Sequence, residues 1–151
     1  MKKTGATITV LAENTAQGMG LLGEHGLSLW IETSDSCVLF DTGQGFALPH
    51  NVAILNVNLG RADALVLSHG HYDHTGDLAY ALDQAPDARL FLHPSAMQSR
   101  FACRDGSARE IGIPARAHDS VNARQASITW TKEPTEVAHG IFVTGPIPRK
   151  S

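Results

Sequence analysis

The chain has 151 residues, 42% of them hydrophobic and 18% charged, with twelve basic and fifteen acidic side chains and a formal charge of −3. That length fits one domain spanning 1–151, and the apolar share excludes a disordered chain. The acidic balance, with no polybasic arm, argues against a nucleic-acid partner, and no apolar run approaches the roughly 20 residues that cross a membrane as a helix.

The N-terminus, Met1-Lys2-Lys3, leads into a short apolar stretch from Ile8 to Ala12 that Glu13 interrupts. No small-residue cleavage pattern follows, so a secretory signal is not expected. Ala6 to Ala12 alternates β-branched and apolar residues and reads as a strand. Glu13 to Gly26 is glycine-rich and reads as a loop. Leu27–Glu32 and Ser36–Phe40 read as two strands, joined through the turn-like Thr33-Ser34-Asp35 in a hairpin. Cys37 falls inside the second of these and reads as a buried thiol, whereas Cys103 falls in a polar stretch. Two cysteines outside any C-x-x-C pair suit a reducing, cytoplasmic setting.

Ala47 to Leu59 carries Leu48, Val52, Leu55 and Leu59 at helical spacing. Ala64–Leu67 is a short apolar run, as a buried parallel strand requires. Gly76–Gln84 reads as a helix, with Thr75 as its N-cap and Asp77 in its first turn. Arg89–Leu92 reads as a strand, and Pro94 opens a short helix. Residues 103–126 read as loop. Ser127–Thr131 and Gly140–Thr144 read as strands, and Gly145-Pro146-Ile147-Pro148 blocks continuation of the second. Trp30 and Trp130 fall in strand patterns and are expected in the core. Strands first and β-α-β-α-β afterwards imply an α/β layered domain.

Of eight histidines, three stand with a carboxylate in the run His69-Gly70-His71-Tyr72-Asp73-His74, directly after the 64–67 strand. A loop leaving a buried strand is exposed while its ends are held by the sheet, which is where function gathers in α/β folds. His69 and His71 are two apart, so in an extended segment both point to one side and can share an ion. Asp73 and His74 arrive as the chain turns into the helix and can face a second ion. Imidazole with carboxylate suits zinc, iron or manganese rather than calcium. Two metals roughly 3.5–4 Å apart would activate a water and hold a scissile group.

Ser68-His69-Gly70-His71-Tyr72-Asp73-His74-Thr75-Gly76 resembles the H-x-H-x-D-H signature of the metallo-β-lactamase superfamily. Glu24–Thr33, the Leu39-Phe40-Asp41-Thr42-Gly43-Gln44 run and the terminal Thr144-Gly145-Pro146-Ile147-Pro148-Arg149 resemble its dihydropterin–ribofuranosylaminobenzene phosphate synthase-like branch. The resemblance implies a divalent metal, Zn first with Fe or Mn as alternatives. It places His69 and His71 on one ion and Asp73 and His74 on another, and Asp73 would also steer the attacking water or take its proton. It puts Asp41 behind the ligands, where it accepts a hydrogen bond from a ligand imidazole and fixes the tautomer. Asp77 departs from the family, which often has glycine there. His93 resembles a structural position. His118 and His139 have no motif around them. His25 and His50 read as loop residues, with His25 in a stretch that could line the site.

The implied fold is half of the αββα sandwich, one mixed sheet with helices on one face, truncated before the half that supplies further ligands. The implied activity is a metal-dependent hydrolase in which a metal-activated water attacks an ester, thioester, lactone or phosphoester of a small molecule. The alternative is an incomplete half-domain without catalysis, acting as a metal-binding or assembly module. Strands apolar at successive positions suit a sheet covered on both faces, so a homodimer, or pairing with a separately encoded second half, is expected.

Overall fold

A computed structural model describes residues 5–148. In chain order the strands are β1 (Thr7–Ala12), β2 (Ser28–Glu32), β3 (Cys37–Phe40), β4 (Ala64–Val66), β5 (Arg89–Leu92), β6 (Phe101–Arg104), β7 (Ser107–Glu110), β8 (Ile128–Trp130), β9 (Thr135–Ala138) and β10 (Ile141–Val143). The helices are α1 (Ala47–Ile54), the single turn α2 (Tyr72–Thr75), α3 (Leu78–Gln84) and α4 (Ala115–Asn122). Six strands form one mixed sheet in the order β1-β2-β3-β4-β5-β8. β2 pairs antiparallel with both β1 and β3, and β3, β4, β5 and β8 run parallel.

Pairing aligns Thr9, Trp30, Leu39, Leu65, Leu90 and Ile128 in one row across the sheet. Successive side chains of a strand point to opposite faces, so this row defines one face. Leu48 and Val52 of α1, Leu78 and Leu82 of α3, and Ala117 and Val121 of α4 pack onto it. On the opposite face Val38, Ala64, Val66 and Phe91 meet Val137 and Ala138 of β9, with Ile141 and Val143 of β10 alongside. The architecture is the expected α/β one: a mixed sheet with its helices on one face. The β9–β10 hairpin covers part of the second face, and beyond it Ile8 and Val10 stand 59% and 49% exposed. Among the described residues no helix is long and apolar enough to cross a membrane.

Several local expectations need correction. Residues 101–110 form a hairpin and residues 115–122 a helix, where loop was expected. Every residue of β6 and β7 is exposed, so burial imposes no alternation on the sequence, and α4 buries only Ala117 and Val121. The turn Asp105-Gly106, with φ of 52° and 78°, is the Asp-Gly signal of a tight hairpin and was the one readable clue. The strand at 135–138 carried no expectation either. The first helix ends at Ile54 rather than Leu59, because Asn56 adopts φ 54° and a 3₁₀ turn follows at Leu59–Arg61. Thr75 is no N-cap: it closes α2, and its hydroxyl donates to the His71 carbonyl. Trp30 is 1% exposed, in the core as expected, but Trp130 is 37% exposed on the outer strand β8.

Candidate metal centre

Parallel pairing of β3 with β4 sets their C-terminal ends side by side, since Phe40 is opposite Val66. The residues that follow, Asp41 and Ser68, are thereby neighbours. Asp41 is fully buried and adopts φ 55°, unusual for a residue with a side chain. Its backbone is held at both ends: its N–H donates to the Val66 carbonyl at 2.9 Å, and its carbonyl accepts the Ser28 hydroxyl at 2.8 Å.

The Asp41 carboxylate organises the loop above it. Oδ1 accepts the Ser68 N–H at 2.8 Å, and Oδ2 accepts the Ser68 hydroxyl at 2.6 Å and contacts His74 Nδ1 at 2.8 Å. Ser68 Oγ is also 2.9 Å from His69 Nδ1. A hydroxyl has one proton, and Ser68 spends it on Asp41, so His69 must donate to Ser68. Both His69 and His74 therefore carry a proton on Nδ1, which leaves Nε2 as the nitrogen a metal would take. Asp41 fixes one imidazole directly and the other through Ser68.

The glycines of the motif serve close approach. A Cβ on Gly70 would overlap the carbonyl of Ala96, and one on Gly76 would overlap the carbonyl of Gln44. The Gly76 N–H donates to Gly43 and the Thr42 N–H to the His74 carbonyl, both at 2.8 Å, which sews the motif loop to the loop after β3.

The structure brings the four sequence-derived candidates together. The His69 ring centroid lies 4.5 Å from that of His71 and 4.2 Å from that of His74, and His74 Nε2 is 3.7 Å from Asp73 Oδ2. As they stand, no three His, Cys, Asp or Glu side chains among the described residues are arranged so as to hold an ion. The donors' chemistry nonetheless fits a divalent cation: imidazoles, two of them oriented through Nδ1, beside a carboxylate. Burial, then the neighbouring His74 and His71, lower the His69 pKa below the ordinary histidine value, so it is readily neutral. The hydrogen bond to Asp41 raises that of His74.

Other histidines stand apart. His93 Nδ1 accepts the Ser95 N–H at 3.1 Å, capping a 3₁₀ turn, which is the structural role expected. His50 Nε2 contacts the Gly20 carbonyl at the surface, and His118 contacts Asn122 within α4. His139 is exposed. His118 does border a cavity of about 410 Å³ whose walls include Tyr72 of the motif, Met97, Ile113 and Pro114.

Three side chains gain a part that sequence reasoning underweighted. Glu24 is 5% exposed, and its carboxylate accepts the N–H groups of Gln44, Phe46 and Ala47 at the start of α1. His25 Nε2 stands 3.2 Å from Asp73 Oδ2. Asp77 precedes α3 and is buried, with Oδ2 lacking a hydrogen-bond partner; burial, then the charge of Glu24, push its pKa up to about 6. A glycine-flanked Glu-His pair was the available signal for the first two.

A mixed sheet of this order, with a histidine–aspartate loop at the C-terminal end of a central parallel strand, defines a class of α/β protein. The description "Metallo-beta-lactamase superfamily" matches residues 22–149, and the chain belongs to that superfamily, whose members typically bind divalent metal. An uncharacterized protein of Methanocaldococcus jannaschii is 32% identical over 95% of this chain and 54% of its own length. The 7,8-dihydropterin-6-methyl-4-(beta-D-ribofuranosyl)-aminobenzene-5'-phosphate synthase of the same organism is 28% identical over 82% of this chain and 44% of its own length. The chain thus spans about half the length of these relatives. The solved structure of the Rm3 metallo-beta-lactamase shares the fold, with a TM-score of 0.52 and 18% identity over 78% of this chain and 44% of that one.

Proposed function

We propose that this chain carries the first-half metal site of a metal-dependent hydrolase acting on a small molecule. The observation that supports this reading best is the set of hydrogen bonds around Asp41, which occupies the Nδ1 atoms of His69 and His74 and leaves their Nε2 atoms for a metal. His69 and His71 would hold one ion and Asp73 and His74 a second, Zn by preference, with Fe or Mn compatible with the same donors. Such ions supply a lowered water pKa and polarisation of the scissile group. Asp41 holds the imidazoles in their ligating tautomer, Asp73 accepts a proton from the attacking water or steers it, and the 410 Å³ cavity beside Tyr72 is of a size that takes a small molecule. The substrate class is an ester, thioester, lactone or phosphoester.

The part-covered second sheet face supports a companion proposal. Ile8 and Val10 add apolar area beside the half-buried Leu29, Ile31 and Phe40, a surface that soluble monomers usually cover. A second copy of the chain, or a second half supplied separately, would bury it and bring further ligands. Without that completion the chain would be a metal-binding assembly module rather than an enzyme. The two unpaired cysteines support a cytoplasmic setting.

The test is metal analysis of the purified chain with hydrolysis assays on the four substrate classes, and light scattering over a concentration series. Bound metal that His71→Ala removes, with turnover by the self-associated or completed form, is the expected result. Metal content unaffected by that substitution would overturn the site, and bound metal with no turnover in any completed form would leave the module reading.

A further inference from the structure

The segment Glu24-His25-Gly26 is built as a bracket. On one side Glu24 is anchored by three N–H groups, from Gln44 at 2.9 Å and from Phe46 and Ala47 at 3.2 Å each. Its own N–H donates to the Glu13 carbonyl at 3.0 Å. On the other side Gly26 adopts φ 135°, and a Cβ there would overlap the Asp73 carbonyl, so this backbone lies directly on the metal loop. The Gly26 N–H is held by Asn14 Oδ1 at 3.2 Å. Between two fixed neighbours, His25 has little freedom of backbone direction. Its side chain is 64% exposed, yet its Nε2 lies 3.2 Å from Asp73 Oδ2, whose side chain is only 14% exposed. The same oxygen is 3.7 Å from His74 Nε2.

An exposed histidine–carboxylate contact contributes little to stability by itself. A buried anchor and a sterically required glycine on either side of it are therefore out of proportion to a stabilising role. They make sense if the direction of the carboxylate matters. Carboxylates that bind metal are themselves held by hydrogen bonds from outside, and removing such a partner commonly weakens metal binding 10–100-fold.

We propose that His25 is a positioning residue: it holds the Asp73 carboxylate beside His74 Nε2, so that the two donors on that side of the site are set before any ion arrives. This rests on the reading of 69–74 as a metal site. His25 thereby does for the carboxylate what Asp41 does for the imidazoles.

The experiment compares the full chain with His25→Ala and His25→Gln, using Co²⁺ and Zn²⁺ as probes. Metal affinity, the Co²⁺ absorption spectrum and the thermal midpoint of the metal-free protein are read for each. Expected are a roughly tenfold or greater loss of affinity and a changed Co²⁺ spectrum in His25→Ala, with the metal-free midpoint nearly unmoved. His25→Gln, which keeps a side-chain N–H, restores much of the affinity. Wild-type affinity and spectrum in His25→Ala overturn the proposal. A glutamine variant as weak as alanine overturns it too, because that marks His25 as a direct ligand. If the wild-type chain takes up no metal, the metal-site reading falls and the proposal with it. The NMR signals of the His25 imidazole in the metal-free chain then say whether the contact itself exists: signals that shift on Asp73→Asn show that it does, unmoved signals that it does not.

Discussion

Two excursions leave the C-terminal ends of neighbouring parallel strands: residues 67–77 after β4 and residues 93–127 after β5. The first is short and welded down. Gly70 lies on Ala96, Gly76 on Gln44, and Asp41 grips Ser68 and His74 from below. The second is long and anchored only in part: Ala96, Ala117 and Val121 are buried, but its hairpin is exposed at every residue of both strands, and a Cβ on Gly106 at its tip would meet nothing within 4 Å. It touches the first at few points, among them the Tyr72 N–H donating to the Ile111 carbonyl at 3.1 Å. Position on the sheet alone does not fix the side chains of a loop. What separates the two is the density of backbone contacts that fix side-chain direction before a ligand binds, which is the structural form of preorganisation.

The contrast is broken most directly at its glycines. Gly70→Ala is expected to destabilise the chain by about 3 kcal/mol or more, since backbone must move to admit the methyl group. Gly106→Ala meets no clash, only the cost of a positive φ, about 1–2 kcal/mol. Chemical denaturation of both variants decides; equal losses would erase the distinction.

Asp77 tests how much strain the welded side carries. Its folded pKa, about 6, lies above the ordinary value of 3.8, so the native state binds this proton more tightly than the unfolded chain does. Stability from this group is therefore full below about pH 4 and is lost as pH rises through 6. Asp77→Asn keeps an acceptor for the Leu48 N–H and removes the buried charge beside Glu24. It is expected to stabilise the chain above pH 6 by about 1–3 kcal/mol and to flatten the fall between pH 4 and 6. A variant no more stable at pH 7 than the parent would refute this.

Asp41→Asn should leave the fold in place and weaken metal binding roughly 10–100-fold, the usual effect of losing a group that orients a ligand. It also sharpens the pH dependence. The Asp41 hydrogen bond raises the His74 pKa above 6.5, so protons compete with metal up to a higher pH than for an ordinary histidine, and affinity falls as pH drops through that raised value. Removing the carboxylate lowers the pKa, and the midpoint of metal binding is expected to move to lower pH. Metal titrations at several pH values check both effects. At the other extreme, Arg104→Ala on the exposed hairpin should change stability by less than about 0.5 kcal/mol and leave metal affinity alone.

Legibility followed burial. The strands at 37–40, 64–66 and 89–92 were readable because each is buried and apolar along most of its length, and that at 28–32 because its residues are all buried or half-buried. The hairpin at 101–110 left no such trace, and α4 left two buried residues in eight. The donors of the site were legible for a different reason: three imidazoles and a carboxylate in six residues are a local pattern that survives without knowledge of the fold.

Sequence alone determined the α/β class and the run of three imidazoles and a carboxylate at residues 69–74, because each depends on residue type and short spacing, whereas only the family resemblance put Asp41 behind the imidazoles. Only the tertiary structure decided that Asp41 reaches His69 through Ser68 and that Glu24 and Gly26 pin His25 against Asp73. It alone decided that Asp77 is buried next to a second carboxylate, and that the second sheet face is covered in one part and open in another. These features rest on pairs distant in sequence, such as Asp41 with Ser68, 27 positions apart, and Glu24 with Asp77, 53 apart. Distances of that kind are set by which strand pairs with which, and no local pattern encodes them.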